Sequence, residues 1–162
     1  MILNTQLQSG CTPKRIEFDV TDFRKLSDSV LASPQISIAG LEAANALGVT
    51  LIVNNRPDGE DPSAPQGADI EGAAKAIGID YISIPIGHSG FSETQVDQMI
   101  AALDQAKGTT LAYCRSGTRS TLLWSLAQAK LGVTPDEIAQ SANEAGYDVS
   151  PIRPMLDMLA AK

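Results

Sequence analysis

The chain has 162 residues, of which 43% are hydrophobic; this is enough for one domain with a substantial core and excludes intrinsic disorder as its general state. Its formal net charge of -7 argues against nucleic acid or an anionic membrane as a standing partner. An anionic substrate would therefore have to be held by local hydrogen-bond donors, because the overall charge of the protein repels it.

The N-terminus and the cysteine content indicate the compartment. Residues 1–6 lack the basic start and long apolar stretch of a signal peptide, and no apolar run is long enough to cross a bilayer. We therefore expect a cytoplasmic protein, in which the two cysteines, Cys11 and Cys114, stay unpaired. With no Cys-x-x-Cys pair and a single histidine, the sequence predicts neither a metal site nor another cofactor.

Apolar periodicity and turn residues predict the order of the elements. Residues 1–20 have no clear period, and we expect them to form an N-terminal extension to a single catalytic domain over 21–162. The predicted elements are, in chain order, strand 23–26, strand 30–32, helix 41–47, strand 50–54, helix 68–77, strand 80–86, a helix capped by Ser92 and ended by Gly108, strand 109–113, helix 121–131, a helix capped by Thr134, and a last short helix from Pro151 and Pro154. This alternation predicts an α/β fold, with a mainly parallel sheet and helices on both faces.

Two loops that follow predicted strands contain polar residues with two interpretations, structural and functional. After strand 50–54, the triplet Pro57-Asp58-Gly59 is favourable turn chemistry, and we assign Asp58 and Glu60 to that turn. Arg56 has two open interpretations, a turn residue or a substrate-binding residue, because strand ends are where α/β proteins bind ligands. His88, in a glycine-flanked loop after strand 80–86, is either a merely exposed histidine or a proton donor.

The predicted reaction centre is Tyr113-Cys114-Arg115-Ser116-Gly117-Thr118-Arg119-Ser120, between strand 109–113 and helix 121–131. The N–H groups of such a loop, and of the helix N-terminus after it, can surround an anion. The same donors, with the forked guanidinium of Arg119, favour a thiolate at Cys114, which is the nucleophilic form of cysteine. The structural alternative is that Cys114 is only a small buried hydrophobic residue.

The rest of this segment forms the predicted substrate-binding set. The backbone amides from Arg115 to Ser120 would hold the bound group, and Arg115 would orient an anionic substrate or brace the loop. Ser116 and Thr118 offer hydroxyls, and Gly117 permits the backbone turn.

Three blocks in this order resemble a known family. They are Ser33-Pro34-Gln35-Ile36-Ser37, Val53-Asn54-Asn55-Arg56-Pro57-Asp58-Gly59-Glu60 and the segment around Cys114. From about Thr21 onward the chain resembles the phosphatase-like domain of beta-lactamase hydrolase-like proteins, which occurs alone or joined to a metallo-β-lactamase-like persulfide dioxygenase. The resemblance implies a fold similar to dual-specificity and tyrosine phosphatases, and it implies such a dioxygenase as a partner.

The spacing inside the third block departs from those phosphatases. They have His-Cys, five residues, then Arg, whereas here Tyr113 precedes Cys114 and only four residues separate Cys114 from Arg119. That count resembles single-domain rhodaneses, which are sulfurtransferases. A phosphatase would also need a general acid, and residues 86–91 contain no aspartate, which leaves His88 or Asp58 as substitutes.

The sequence therefore favours a rhodanese-like sulfurtransferase, in which Cys114 takes sulfane sulfur from an anionic or persulfide donor and carries it as a persulfide. The alternative is phosphomonoester hydrolysis through a Cys114 phosphocysteine. A third hypothesis is a non-catalytic anion-binding module, in which replacing Cys114 would leave the biological role intact.

Overall fold

The computed structural model describes residues 22–162, and the predicted N-terminal extension with Cys11 lies outside this range. The division of the chain at residue 20 stays a prediction. The described elements are β1 (Arg24–Ser27), β2 (Val30–Ser33), α1 (Gly40–Ala46), β3 (Val49–Asn54), α2 (Gly67–Ala76), β4 (Asp80–Ser83), α3 (Glu93–Gln105), β5 (Thr109–Tyr113), α4 (Thr118–Lys130), α5 (Pro135–Glu144), a short 3-10 helix (Ser150–Ile152) and α6 (Arg153–Ala160).

The strands form a five-stranded sheet in the order β1-β2-β5-β3-β4. β1 pairs with β2 in antiparallel fashion, and the other three pairings are parallel. The prediction of a mainly parallel sheet is confirmed. Because β2, β3, β4 and β5 point the same way, the loops that follow them lie at one edge of the sheet, where α/β folds bind ligands.

Helices cover both faces of the sheet, as predicted. α1 contacts β3 and α2 contacts β4, while α4 contacts β2 and β5 and packs against α3, α5 and α6. Successive side chains of β5 point to opposite faces of the sheet. Leu111 and Tyr113 belong to the hydrophobic cluster on the α1–α2 face, and Ala112 belongs to the larger cluster that includes α4. These residues are essentially inaccessible to solvent, so β5 is fixed from both sides.

Two element boundaries differ from the prediction. β4 ends at Ser83, although strand 80–86 was predicted; Pro85 has no N–H to continue a ladder, and Ile84 and Ile86 instead donate to the carbonyls of Asn54 and Asn55. α4 begins at Thr118, three residues earlier than predicted, because Gly117 adopts a left-handed conformation (φ 94°) that turns the chain directly into the helix.

Within residues 22–162, none of the helices combines the length and the apolar composition required to cross a membrane.

Candidate active site

Cys114 lies immediately after β5, at the edge where the parallel strands end. Its side chain is fully buried, and its backbone N–H donates to the Ser33 carbonyl at the end of β2 (3.3 Å). Its Sγ accepts a hydrogen bond from the Gly117 N–H (3.1 Å). The sulfur is therefore at the bottom of the loop and faces a backbone N–H donor.

The first turn of α4 supplies further donors next to this sulfur. The Thr121 N–H closes the first helical hydrogen bond to the Gly117 carbonyl (3.0 Å), so the three N–H groups before it have no acceptor within the helix. The N–H of Thr118 donates to the Ser116 hydroxyl (3.3 Å), which leaves those of Arg119 and Ser120. They also form the positive end of the helix dipole. Ser116 and Thr118 are exposed, with their hydroxyls 2.9 Å apart, and they lie at the mouth of the loop.

Arg119 is held in place by Glu60 from the loop after β3. Its two terminal nitrogens donate to the two carboxylate oxygens of Glu60 (2.8 Å each), and one of them also donates to the Ile86 carbonyl (2.8 Å). A guanidinium has five N–H groups, so these three bonds leave two N–H groups for a bound oxyanion. The hydrogen bond to Glu60 is the largest cause that raises the pKa of Arg119, and the sulfur of Cys114 adds to it.

Glu60 joins two arginines. Its Oε1 also accepts from Arg56 (2.9 Å), whose guanidinium donates on its other side to the side-chain amide oxygen of Gln35 (2.9 Å). Hydrogen bonds from Arg119 first, and from Arg56 next, lower the pKa of Glu60 from its ordinary 4.5 to about 2. Glu60 is therefore ionised throughout the neutral range, and it fixes the direction in which Arg119 points.

Asn55 connects the strand ends below the site. Its Oδ1 accepts from the Ser120 hydroxyl (2.7 Å), its Nδ2 donates to the Ile84 carbonyl (2.9 Å), and its backbone N–H donates to the Tyr113 carbonyl (2.8 Å). Asn55 and Ser120 are both fully buried. The Ser120 hydroxyl is thus used to fasten α4 to the sheet.

The structure brings most of the predicted site residues to this edge of the sheet. Cys114, Gly117 and Arg119 form the centre. Arg115 is exposed, and its backbone carbonyl accepts the Gln35 N–H from the segment after β2 (3.1 Å). His88 is exposed in the loop after β4, two residues beyond the carbonyl that binds Arg119.

Two residues have roles other than direct contact with the sulfur. Arg56 is almost buried and bonds to Glu60 and Gln35, so it supports the carboxylate that orients Arg119. Asp58, a candidate general acid, accepts the Gly67 N–H at the start of α2 (2.8 Å) and acts there as a helix-capping group.

Sequence reasoning missed the function of Glu60 and Asn55. Both lie in a segment whose residues favour a turn. That pattern gives no sign that the Glu60 carboxylate binds Arg119, 59 residues away, or that the Asn55 amide binds Ser120, 65 residues away. The sequence did contain a signal for an ion pair, because Glu60 follows Arg56 by four residues in a loop that begins at a strand end.

Comparison with protein families gives the identity of this arrangement. The sequence profile of the phosphatase-like domain of beta-lactamase hydrolase-like proteins matches residues 22–131. The chain belongs to this family. A beta-lactamase hydrolase-like protein of Agrobacterium fabrum is 29% identical over 126 residues, which cover 77% of this chain and 29% of the relative. A counterpart from Xylella fastidiosa is 30% identical over 103 residues, which cover 63% of this chain and 24% of the relative. This phosphatase-like domain thus spans less than a third of the curated relatives it matches.

Solved structures place the domain among phosphatase folds. A candidate phosphatase from Neisseria meningitidis is 33% identical, with a TM-score of 0.76 over 85% of this chain and 98% of that one. A second candidate phosphatase, from Shewanella putrefaciens, is 25% identical with a TM-score of 0.66, over 86% and 87% of the two chains. Tk-PTP, at 16% identity and a TM-score of 0.64 over 86% of this chain and 94% of that one, shares the fold. The predicted likeness to tyrosine and dual-specificity phosphatases is confirmed.

The main functional prediction, a rhodanese-like sulfurtransferase passing sulfur through a persulfide, is wrong. The family match and the phosphatase-like neighbours support the alternative, a phosphatase. The count of four residues between Cys114 and Arg119, which resembles rhodaneses, was misleading because it does not set where the arginine points. Thr118 already belongs to α4, and Arg119 is aimed by Glu60 from another loop, so the residue count does not measure the width of the site.

Replacing Glu60 with glutamine should lower stability in a pH-dependent way. Because the folded-state pKa is depressed from 4.5 to about 2, the carboxylate contributes stability above pH 4.5 that is lost as the pH falls towards 2. We expect Glu60→Gln to reduce the free energy of unfolding by about 1–3 kcal/mol at pH 6, and by much less near pH 2.5. Urea unfolding at the two pH values measures the difference.

The matched control for this variant is Glu71→Gln, which removes an exposed ion pair with Lys75 (2.8 Å) on α2. Such a pair is worth only about 0.5 kcal/mol or less. A deficit of Glu60→Gln that stays the same from pH 6 to pH 2.5, or that is no larger than the deficit of the control, would contradict the assigned role of Glu60.

Proposed function

We propose that this domain hydrolyses phosphomonoesters through a phosphocysteine at Cys114. The observation that carries the proposal is the placement of a buried sulfur at the N-terminus of α4, beside an arginine that keeps two N–H donors after its bonds to Glu60 and Ile86. A phosphoryl group presents three oxygens, which the free amides of the loop and the two remaining guanidinium N–H groups can bind together. Local donors thus offset the net negative charge of the chain.

The first step forms the covalent intermediate. The Cys114 thiolate attacks phosphorus with its electron pair, the P–S bond forms, and the bond from phosphorus to the leaving oxygen breaks in line. Negative charge on the three remaining oxygens is stabilised by fixed donors, which need no reorganisation at the moment of reaction. The leaving oxygen departs as an aryloxide or is protonated as an alcohol.

The second step regenerates the enzyme. A water molecule attacks phosphorus, the P–S bond breaks, and its electron pair returns to sulfur, so that inorganic phosphate and the Cys114 thiolate are released. The same donors hold the phosphoryl oxygens in both steps. The positions of Arg119 and of the loop amides therefore matter equally for formation and hydrolysis of the intermediate.

Protonation of the leaving group is the part of the reaction for which this chain departs from other phosphatases. Asp58 accepts a hydrogen bond at the N-terminus of α2. His88, by contrast, is exposed on the loop that follows β4, two residues after Ile86, whose carbonyl accepts a hydrogen bond from Arg119. We therefore assign proton donation to His88 for substrates with basic leaving groups. Aryl phosphates need little help, because aryloxides leave readily.

His88→Gln should consequently separate two substrate classes. We expect a loss of roughly 100-fold in kcat for an alkyl phosphate, and a change of less than about fivefold for p-nitrophenyl phosphate, because general-acid catalysis contributes only where the leaving oxygen is strongly basic. Steady-state kinetics of the two substrates with each protein provide the measurement. Equal losses for both substrates would contradict proton donation by His88.

The broader context of the domain is proposed on the family resemblance. The curated relatives extend well beyond the matched part, which covers 24–29% of their length. A metallo-β-lactamase-like dioxygenase, joined to this domain or acting as a separate chain, accordingly remains our proposal for the partner. A cytoplasmic location likewise remains a proposal.

The direct test of the proposed activity is release of inorganic phosphate from p-nitrophenyl phosphate by the purified chain. We expect saturable release by the wild-type protein and none above background by Cys114→Ser. Absence of release by a folded wild-type protein with a free thiol would overturn the proposal.

A further inference from the structure

Tyr147, which follows α5, contacts the nucleophile loop from outside the site. Its side chain is nearly buried, and its hydroxyl donates to the Ser116 carbonyl (3.1 Å). A Cβ added at Gly117 would collide with this hydroxyl, so the phenol is packed directly on the backbone of the loop. This contact joins residues that are 31 positions apart in the sequence.

The contacted carbonyl and the donor to Cys114 belong to one peptide unit. The carbonyl of Ser116 and the N–H of Gly117 are the two ends of a planar trans peptide, and they point in opposite directions. Tyr147 binds the oxygen end, and the N–H end donates to the Cys114 sulfur (3.1 Å). A hydrogen bond on the oxygen therefore fixes the direction of the N–H on the other side.

We propose that Tyr147 is a positioning residue for the nucleophile: its hydroxyl holds the Ser116–Gly117 peptide in the orientation that aims the Gly117 N–H at the Cys114 sulfur. Gly117 is the residue most able to rotate, because its left-handed backbone (φ 94°) and missing side chain permit other peptide orientations. Without the phenol, the peptide can turn its carbonyl towards the sulfur, and a partial negative charge there disfavours the thiolate.

The phenol is itself held in a fixed position. The guanidinium of Arg24 stacks over the Tyr147 ring (5.0 Å to the centroid) and is paired with Asp22 (2.9 Å). The backbone N–H of Tyr147 donates to the Ala142 carbonyl in α5 (2.9 Å). Burial raises the pKa of Tyr147, so its hydroxyl remains protonated and keeps donating across the neutral range.

The test is the reaction of Cys114 with iodoacetamide as a function of pH, in Tyr147→Phe and in wild type. The variant keeps the ring and loses only the hydroxyl. We expect its alkylation rate at pH 6 to fall by about tenfold and the midpoint of the pH–rate profile to rise by about one pH unit, as for loss of one hydrogen bond to a charged group. The variant keeps Arg24 over the ring, and it keeps the charged and titratable groups of the loops around the sulfur: Arg56, Asp58, Glu60, Asp61, His88, Arg115 and Arg119.

Tyr81→Phe is the matched control, because the Tyr81 hydroxyl accepts from Asn54 (3.0 Å) on the opposite face of the sheet. Its alkylation profile should match wild type. An unshifted profile for Tyr147→Phe, or an equal shift in the control, would overturn the positioning role. Hydrogen exchange at the Gly117 amide supplies a second readout, and we expect faster exchange in Tyr147→Phe; unchanged exchange would count against the proposal.

Only one consequence of this inference rests on the proposed function: Tyr147→Phe should lose kcat for p-nitrophenyl phosphate to the same extent as it loses alkylation rate. Alkylation needs no phosphatase substrate. A shifted profile without phosphate release by wild type would contradict the proposed hydrolysis alone, and phosphate release with an unshifted profile would contradict the role of Tyr147 alone.

Discussion

Replacing Cys114 with serine should lower kcat for p-nitrophenyl phosphate by roughly 10⁴-fold or more. A serine hydroxyl is not ionised at neutral pH, and within residues 22–162 no carboxylate or imidazole is hydrogen-bonded to the side chain at position 114 to act as its base. No phosphoryl-enzyme can therefore form at a useful rate. Serine fills nearly the same buried volume and can accept the Gly117 N–H that now donates to sulfur (3.1 Å). The fold and the binding of inorganic phosphate should therefore be nearly unchanged.

Three measurements are needed on this variant: the rate of phosphate release, the melting temperature and the affinity for inorganic phosphate. Turnover above about one per cent of wild type, in a preparation free of wild-type protein, would show that Cys114 is not the nucleophile. Loss of both phosphate binding and turnover would instead indicate that the serine had disturbed the loop.

Replacing Arg119 with lysine should lower kcat by roughly 10²–10³-fold, although the charge is retained. A lysine ammonium cannot bind both Glu60 oxygens and the Ile86 carbonyl while still presenting two parallel donors to a phosphoryl group. The lost donors act where charge is stabilised in the transition state, so the effect should fall on kcat more than on KM.

Arg153→Lys is the matched control for this substitution. Arg153 also donates to two carboxylate oxygens, one of Asp136 (2.8 Å) and one of Asp157 (2.9 Å), but it does so at the surface of α5 and α6. We expect its kcat to equal that of wild type. A kcat for Arg119→Lys within about threefold of wild type would contradict the role given to the guanidinium fork.

The fold of this domain could be predicted from sequence because its signals are local. The apolar run of β5, the capping box at Ser92 and Gln95, and the cap at Thr134 each operate within a few residues, and the structure contains all of them. The start of α4 was placed too late because Gly117 acts through a backbone conformation, and glycine in a sequence signals either flexibility or a fixed left-handed turn.

Only part of the candidate site could be predicted. Its central residues are close together in the sequence, whereas the residues that hold them in position are far away in the sequence. Cys114 and Arg119 stand in one short segment with a recognisable composition. Glu60, Asn55 and Tyr147 bind residues of that segment that lie 59, 65 and 31 positions away, through side-chain hydrogen bonds that no local pattern encodes. The sulfurtransferase prediction failed for a related reason, since the direction of Arg119 is set by Glu60 and not by its distance in sequence from Cys114.

The most direct test of the account is acid quenching of the wild-type enzyme during turnover of a phosphate-labelled aryl phosphate, followed by mapping of the label on peptides. The account predicts one phosphoryl group on the peptide that contains Cys114, appearing before free phosphate reaches its steady rate and absent from Cys114→Ser. Release of free phosphate with no label on Cys114, or with the label on another residue, would contradict it.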